Sequence, residues 1–584
     1  MHWRAETRLP EIVSEILDHV CTSETPIRQQ YATLAALART CTQFHGPAVD
    51  VLWRTQQTIV PLIMCLPSDA YTVNKVRKNN TVLALTRNLH PEDFIRVHHY
   101  AYRIKALGRT TFAGYKDISK TPALSGHVLP ILLARNPIPG PLLPNLSYAF
   151  IKDDQAHGYA VLPRLILSPA LEALDVLVGT EGEVALTAWS NLRLLFEERS
   201  VDLKRVAVYM RPARLGPGLL QTPGQPTPPA TGNIWQPEFA QALLSFQNMT
   251  SLDIGEIYWN PTTASFLSTL KSLQVLRVSV SLEPGTDEKD ALTEAATLLT
   301  TQPHFPGLTR LMLLTPSLQS PICRLILTSL QSNTLLHSLS VYETSSSTVE
   351  LQTFLEETFT RDPDTTPHDT SAPFHNLHHL HIERNPALGP GPKTAFPLLL
   401  DSHPFILGPY TLTPLHPLTS LRSLTLSPAR TVLMDNTTLH DLSRAFPHLE
   451  ALHLHEPTTE SAPTITLLGL LHLLSGCPRL SALTLRVDAR ETPPFLDCKG
   501  FHAHTHPIAL NFQSSPMANA SQLAQFLILY IPALEKLEYV EDDEIVADWY
   551  DHSWMKVKMQ IAPLIGGVGS GNTAAEQPIV EEAD

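Results

Sequence analysis

No excess of basic residues marks this chain. Its 42 lysines and arginines are outnumbered by 56 aspartates and glutamates, for a net charge of −14. That balance excludes the broad non-specific attraction to nucleic acid or anionic membrane that a basic surface supplies. Charged residues of either sign are also sparse, at 17% of the chain against a usual figure of about 25%. Six cysteines, at 21, 41, 65, 323, 477 and 498, form no C-x-x-C pair, so neither a thiolate zinc site nor a disulfide scaffold is expected. No uninterrupted apolar run approaches the roughly 18 residues that a membrane helix needs. The opening MHWRAETRLPE lacks the apolar core of a secretory signal, and a cytoplasmic or nuclear location is expected. The signatures G-x-S-x-G, H-E-x-x-H and G-x-x-x-x-G-K-[ST] do not occur, so no catalytic residue, cofactor or metal is assigned. Gly567, Gly569 and Gly571 lack the strand-before, helix-after context of a phosphate loop and have linker composition. Asp401-Ser402-His403 is a local coincidence, because triads are assembled by the fold. Glycine is scarce as well: 25 residues against 50 prolines, which predicts many rigid turns between short elements.

What the chain does have is apolar material, 43% of its residues, in one recurring arrangement. The pattern L-x-x-L-x-L, with other apolar residues substituting, appears at 171–176, 203–208, 249–254, 273–278, 308–313, 336–341, 377–382, 421–426, 449–454, 480–485 and 534–539. Weaker copies stand at 104–107 and 143–148. Intervals such as 273 to 249 or 449 to 421, which are 24 and 28 residues, fit a leucine-rich repeat of about 20–29 residues. Several copies follow a helical run that ends ahead of a proline, as in DLSRAFPHLEALHL (441–454) and FLILYIPALEKLEY (526–539). Each unit therefore predicts helix, turn and strand. One unit cannot bury its own apolar face, so neighbours stack. The expected fold is α/β: a right-handed leucine-rich-repeat solenoid of alternating helices and parallel strands over 104–545, with Pro-rich insertions at 211–233, 361–373 and 385–417 read as rim loops. The segment 546–584 follows, expected to be disordered from about 562.

The first 58 residues read differently. Ile12, Val13, Ile16, Leu17 and Val20 have helical spacing, as do Tyr31, Leu34, Leu37, Cys41 and Phe44. Gly46-Pro47 reads as a stop, and a third short helix carries Val51, Leu52 and Trp53. A helical connector is expected over 59–103. Three such helices make a small core, marginal alone.

Leu9-Pro10-Glu11-Ile12 with Ile16, then Leu34, Leu37, Cys41, Phe44 and Trp53, resembles the F-box motif in residue type and order. LAALARTCTQFHGPAVDVLWRTQ, and LHPEDFIRVHHYAYRIKAL at 89–107, look like F-box proteins of mushroom-forming fungi, in which an F-box precedes irregular leucine-rich repeats. The ETPIRQQYAT stretch between the first two helices is longer than in many F-boxes. The resemblance implies a substrate receptor of a Skp-cullin-F-box type ubiquitin ligase. Leu9, Pro10, Ile12 and Ile16 would meet the Skp-type adaptor, Phe44 and Trp53 would pack the core, and the repeats would hold an unknown protein substrate. Two alternatives stay open: a helical cap on a protein-binding repeat scaffold with no ligase role, and an enzyme, which no motif supports.

Within each repeat the residue between the last two leucines should face outward. That row is Asp175, Ala207, Asp253, Arg277, Met312, Ser340, His381, Thr425, His453, Thr484 and Glu538. The repeats at 421–426, 449–454 and 480–485 have the most even spacing, and a rigid face lowers the ordering cost of binding. The expected substrate site is His379, His381, His453, His455 and Arg486, with the 385–417 insertion as a lid and titration near pH 6.5. His379 and His381 lie about 9.6 Å from the histidines two strands on, which argues against a shared metal.

Overall fold

The computed structural model describes residues 9–22, 27–77, 80–108, 122–152, 168–178, 203–210, 248–255, 267, 270–280, 289, 292–293, 305–315, 317–331, 333–343, 351–360, 374–384, 406–408, 410–426, 431–432, 434–455, 463–493, 500–539 and 550–565. The insertions at 211–233 and 361–373, residues 385–405, the acidic run 541–544 and the glycines of the tail lie outside them. The fold is α/β, built on one fifteen-stranded sheet whose strands follow one another in chain order. The chain forms two compact units, Met1–Val278 with Leu282–Thr286, and Ser279–Ser281 with Asp287–Asp584. Strand pairs within each unit's part of this sheet are parallel.

The first unit opens with helices α1 (Leu9–Thr22), α2 (Ile27–Leu37) and α3 (Thr42–Arg54). Val13 and Leu17 of α1 pack with Leu34, Ala38, Ala48 and Val49 as one buried cluster, bordered by Phe44, Leu52 and Trp53. Gly46-Pro47 does not stop a helix, contrary to the sequence expectation: α3 runs through both residues. Pro47 lies in its second turn, where it removes one intrahelical bond without ending the helix, and the chain breaks earlier, at 38–41.

The connector also departs from expectation. Short helices α4 (Val60–Ile63) and α5 (Phe94–Ala101) flank an antiparallel hairpin of β2 (Tyr71–Arg77) and β3 (Asn80–Leu85). Val73, Val76 and Val82 favour extended backbone over helix. Strand β5 (Ala123–Leu124) joins this small sheet, and α6 (Val128–Arg135) follows. The long ladder starts at β1 (Thr55–Gln56) and continues through β4 (Ala106–Leu107), β6 (Tyr148–Lys152), β7 (Ala173–Val178), β8 (Arg205–Met210), β9 (Ser251–Ile254) and β10 (Val275–Ser279). Ala149 of β6 pairs with Leu174, so that repeat is Leu146-x-x-Ala149-x-Ile151, three residues later than the copy expected at 143–148.

The second unit carries β11 (Arg310–Thr315), α7 (Pro321–Leu330), β12 (Ser338–Glu343), α8 (Leu351–Phe359), β13 (His379–Arg384), β14 (Ile406–Leu407), β15 (Ser423–Leu426), β16 (Thr431–Val432), α9 (Asn436–Ala445), β17 (Ala451–Leu454), α10 (Leu467–Gly476), β18 (Ala482–Thr484), β19 (Ile508–Asn511), α11 (Ala520–Tyr530), β20 (Leu534–Glu538) and α12 (Tyr550–Ile565). The repeat leucines form its core: Leu339, Leu380, Leu424, Leu452, Leu483 and Leu510 are register partners in successive strands and all are buried. Each fully buried leucine contributes about 1.5–3 kcal/mol.

Part of the expected 385–417 insertion belongs to the solenoid itself. Ile406–Leu407 pairs with Thr431–Val432, and Leu407, Leu412 and Leu415 are buried. A single 3-10 turn, Thr413–Leu415, packs near α8 in the helical layer. Those residues are core, which leaves the described part of the segment unable to serve as a lid.

Candidate functional site

Two surfaces carry the residues singled out by sequence. The first is α1. Leu9 and Pro10 occupy its first turn. Ile12 and Ile16 are 48% and 44% exposed, while Val13 and Leu17 on the other face are buried. A spacing of four puts the two isoleucines one above the other. Tyr31 of α2 is a further exposed large apolar side chain of the helical unit. Trp53 faces away from the isoleucines' role: it stacks on Tyr100 of α5, with ring centroids 4.4 Å apart. An ion pair between Asp50 and Arg103 adds a second tie to the chain that follows α5.

The second surface is the outward row of the ladder. Within each unit the register follows the expected row as far as Thr484, after which Asn511 stands between Thr484 and Glu538; in the first unit Asp175 opposes Ala207, Ala207 opposes Asp253 and Asp253 opposes Arg277. In the second unit Met312, Ser340, His381, Thr425, His453 and Thr484 oppose one another in turn. Many of these side chains are not freely solvated. Asp175 is only 4% exposed, accepts from the Tyr148 hydroxyl at 2.8 Å and pairs with Arg205 at 3.2 Å. Asp253 pairs with Arg277 at 3.2 Å. Burial pushes the Asp253 carboxyl up, and Arg277 opposes that push.

The histidine part of the row is a local network. His381 Nε2 lies 2.9 Å from Glu383 Oε2, and its ring is 5.2 Å from Tyr342. His453 Nδ1 lies 2.8 Å from the Thr484 hydroxyl, and its ring stacks on His455 at 6.1 Å. His379 is exposed at the start of β13. Burial pushes His379, His453 and His455 below the usual imidazole range; for His455 the Glu383 carboxylate works the other way. Loss of solvent penalises the imidazolium more than the neutral ring.

Arg486 departs from its expected role in partner contact. It is 8% exposed and its Nε donates to the Ser514 carbonyl at 3.3 Å. It follows the last leucine of its motif, where the chain turns out of the strand and the next repeat covers it.

Sequence reasoning does not pick out Tyr342, Glu383 and Asn511 of this surface, nor the buried Gln513. Asn511 opposes Thr484, and Gln513 is buried with its amide donating to the Leu454 carbonyl at 2.7 Å. Both belong to the repeat of β19, which reads Pro507-x-x-Leu510-x-Phe512. Proline in place of the leading leucine hides it from a search for leucine. His504, four residues before β19 in the segment HAHTH (502–506), bonds through Nε2 to the Leu480 carbonyl at 2.8 Å.

Among the described residues no group of three or more His, Cys, Asp or Glu side chains is placed to hold a metal ion, and no helix is long and apolar enough to cross a membrane. The chain matches no protein-family model, and no curated protein matches it.

Proposed function

We propose that this protein is the substrate-receptor subunit of a Skp-cullin-F-box type ubiquitin ligase, with α1 docking the adaptor and the repeats holding a protein substrate. One observation carries the proposal: Ile12 and Ile16 are exposed one turn apart on a helix whose other face is fixed in a three-helix core. A water-exposed isoleucine pair on a small unit is a ready apolar anchor, and interface energy concentrates in such anchors. The F-box resemblance of residues 9–53 names the partner. The assignment gives the chain no catalytic step; it acts by holding two proteins together.

The repeat surface supports the second half. Tyr342, His381, Glu383, His453 and His455 line one stretch of parallel sheet, offering aromatic faces and hydrogen-bonding groups on a scaffold of buried leucines. Loops and side chains on such a scaffold are pre-ordered for binding.

Trp53 stacked on Tyr100 favours a second role for the helices, as a cap that shields the start of the ladder. A cap needs the Trp53 contact and has no use for exposed Ile12 and Ile16. Co-purification of full-length protein with a Skp-type adaptor separates the two: the ligase assignment predicts capture, reduced when Leu9 and Pro10 are both changed to alanine. Equal capture by that double variant and its parent would leave the cap and scaffold role in its place.

A further inference from the structure

In L-x-x-L-x-L the two residues between the first leucines stand at the N-terminal edge of the strand, the first just ahead of it and the second opening it. Down the second unit these pairs are Thr309-Arg310, His337-Ser338, His378-His379, Arg422-Ser423 and Glu450-Ala451. Register places Arg310 opposite Ser338, Ser338 opposite His379 and His379 opposite Ser423. Arg310, His337, His378, His379 and Arg422 thus stand at the starts of four neighbouring strands, β11, β12, β13 and β15, over about 14 Å at 4.8 Å per step. His337 and His378 stack at 5.0 Å, and His378 meets His379 edge-on at 6.4 Å.

Four of these groups, Arg310 and the three histidines, have no carboxylate partner among the described residues. Arg310 is exposed and holds no ion pair among the described residues. None of the three imidazoles hydrogen-bonds to another described residue. Glu450 is the acid that faces the cluster, and Arg422 already holds it at 3.4 Å. The same motif positions in the first unit show the contrast: Lys204 is paired with Glu172 at 2.7 Å and Arg205 with Asp175 at 3.2 Å. The chain has 56 acidic and 42 basic residues, yet among the described residues Glu450 is the one carboxylate paired with this cluster.

We infer that this edge of the sheet, formed by Arg310, His337, His378, His379 and Arg422, binds a carboxylate-rich peptide segment of the protein substrate. The inference rests on the proposed role of the repeats as a substrate holder and adds the chemistry of what is held. Two arginines supply permanent charge and forked donors for carboxylates. The histidine ring nitrogens supply further donors. Fourteen ångströms accommodates about four residues of extended peptide. A long polyanion fits less well, because the net charge of −14 repels it beyond the cluster. Burial is the largest cause disfavouring protonation of His378 and His379; Arg422 and the neighbouring imidazoles add to it for both and Arg310 for His379, while Glu450 favours protonation. A bound carboxylate acts in the same direction as Glu450, so binding tightens as pH falls.

The test is fluorescence anisotropy of full-length protein with a labelled twelve-residue peptide of alternating glutamate and serine. Its glutamine counterpart and a twelve-nucleotide single-stranded RNA serve as the other probes. The glutamate peptide is expected to bind at least tenfold more tightly than the glutamine peptide, more tightly at pH 5.5 than at pH 7.5, and about tenfold more weakly to Arg310→Glu/Arg422→Glu. Arg310→Glu alone should keep the parent's thermal melt, because that side chain is exposed and holds no ion pair among the described residues, whereas Arg422→Glu also removes the pair with Glu450. Equal binding of the two peptides, or no loss in the double variant, overturns the inference, as does tighter binding of the RNA. These readouts need no adaptor, so failed adaptor capture with intact peptide discrimination would count against the ligase assignment alone.

Discussion

Gly476 of α10 sits directly against Ser443 of α9: a Cβ built on the glycine would lie 2.4 Å from the Ser443 Cβ. Two turns earlier on the same face, Gly469 stands in the same relation to Asn436, whose Oδ1 would be 2.3 Å from an added Cβ. The two glycines and their two partners are each seven residues apart, so one face of α10 lies flush on one face of α9. Asn436 closes the contact by donating from Nδ2 to the Thr466 hydroxyl and accepting from the Thr466 amide, both at 2.9 Å.

Gly476→Ala should therefore destabilise the second unit, although alanine is the better helix former by about 1 kcal/mol. The helices must separate to admit the methyl group, at about 1–3 kcal/mol. Urea unfolding of the variant should show a lower midpoint with an unchanged slope. A raised midpoint would mean that helix propensity outweighs the contact.

The terminal helix α12 closes the last repeat. Trp554 is buried, donates from its indole nitrogen to the Ser515 carbonyl at 3.1 Å, and lies 5.5 Å from Phe512 and 6.0 Å from Tyr539. Trp554→Ala should cost about 3–5 kcal/mol, seen as a lower melting temperature and as faster amide exchange across 508–538. Unchanged exchange there would show that α12 does not protect the end of the sheet.

His378, His379, His453, His455, His472 and His504 all have imidazoles pushed below their ordinary range, each with burial as the largest cause. On acidification the unfolded chain takes up these protons first, near pH 6.5. Stability is then fully present above that pH and is lost as pH falls through the lower folded values. The melting temperature is expected to drop between pH 7.5 and 5.5. A flat profile over that window would show that these rings do not titrate lower in the folded chain than in the unfolded one.

The strand row was legible because buried leucine recurs with a period of two, and side-chain direction follows from that period alone. Asp253 opposite Arg277 and His381 opposite Thr425 needed no further information. Burial of Asp175 and Arg486 was not legible, since it depends on which neighbour lies over each position: Tyr148 and Arg205 on one, Ser514 on the other. The β19 repeat was hidden by Pro507, and α12 by its position beyond the last leucine motif. In α1 the same spacing of isoleucine, valine and leucine marked an amphipathic helix, but only the packing of α2 and α3 decided that Val13 and Leu17 face inward and Ile12 and Ile16 outward.

The histidine network of the second unit offers a separate check on where a substrate sits. His453→Ala/His455→Ala should lower capture of the substrate several-fold with adaptor capture unchanged, and the melt should be checked because Thr484 loses its partner at 2.8 Å. If Asp253→Ala or Arg277→Ala abolishes substrate capture while the histidine pair leaves it intact, the substrate lies on the first unit.

Titrating purified Skp-type adaptor into the full-length protein and into Ile12→Asp/Ile16→Asp, with heat as the readout, decides whether α1 docks an adaptor. Both changes fall on exposed positions, so the variant should keep the parent's melting temperature. Adaptor docking through α1 gives a measurable Kd for the parent, weakened by roughly a hundredfold or more in the variant, as loss of two apolar anchors implies. Equal affinity for the two proteins, or no heat with the parent, would contradict it.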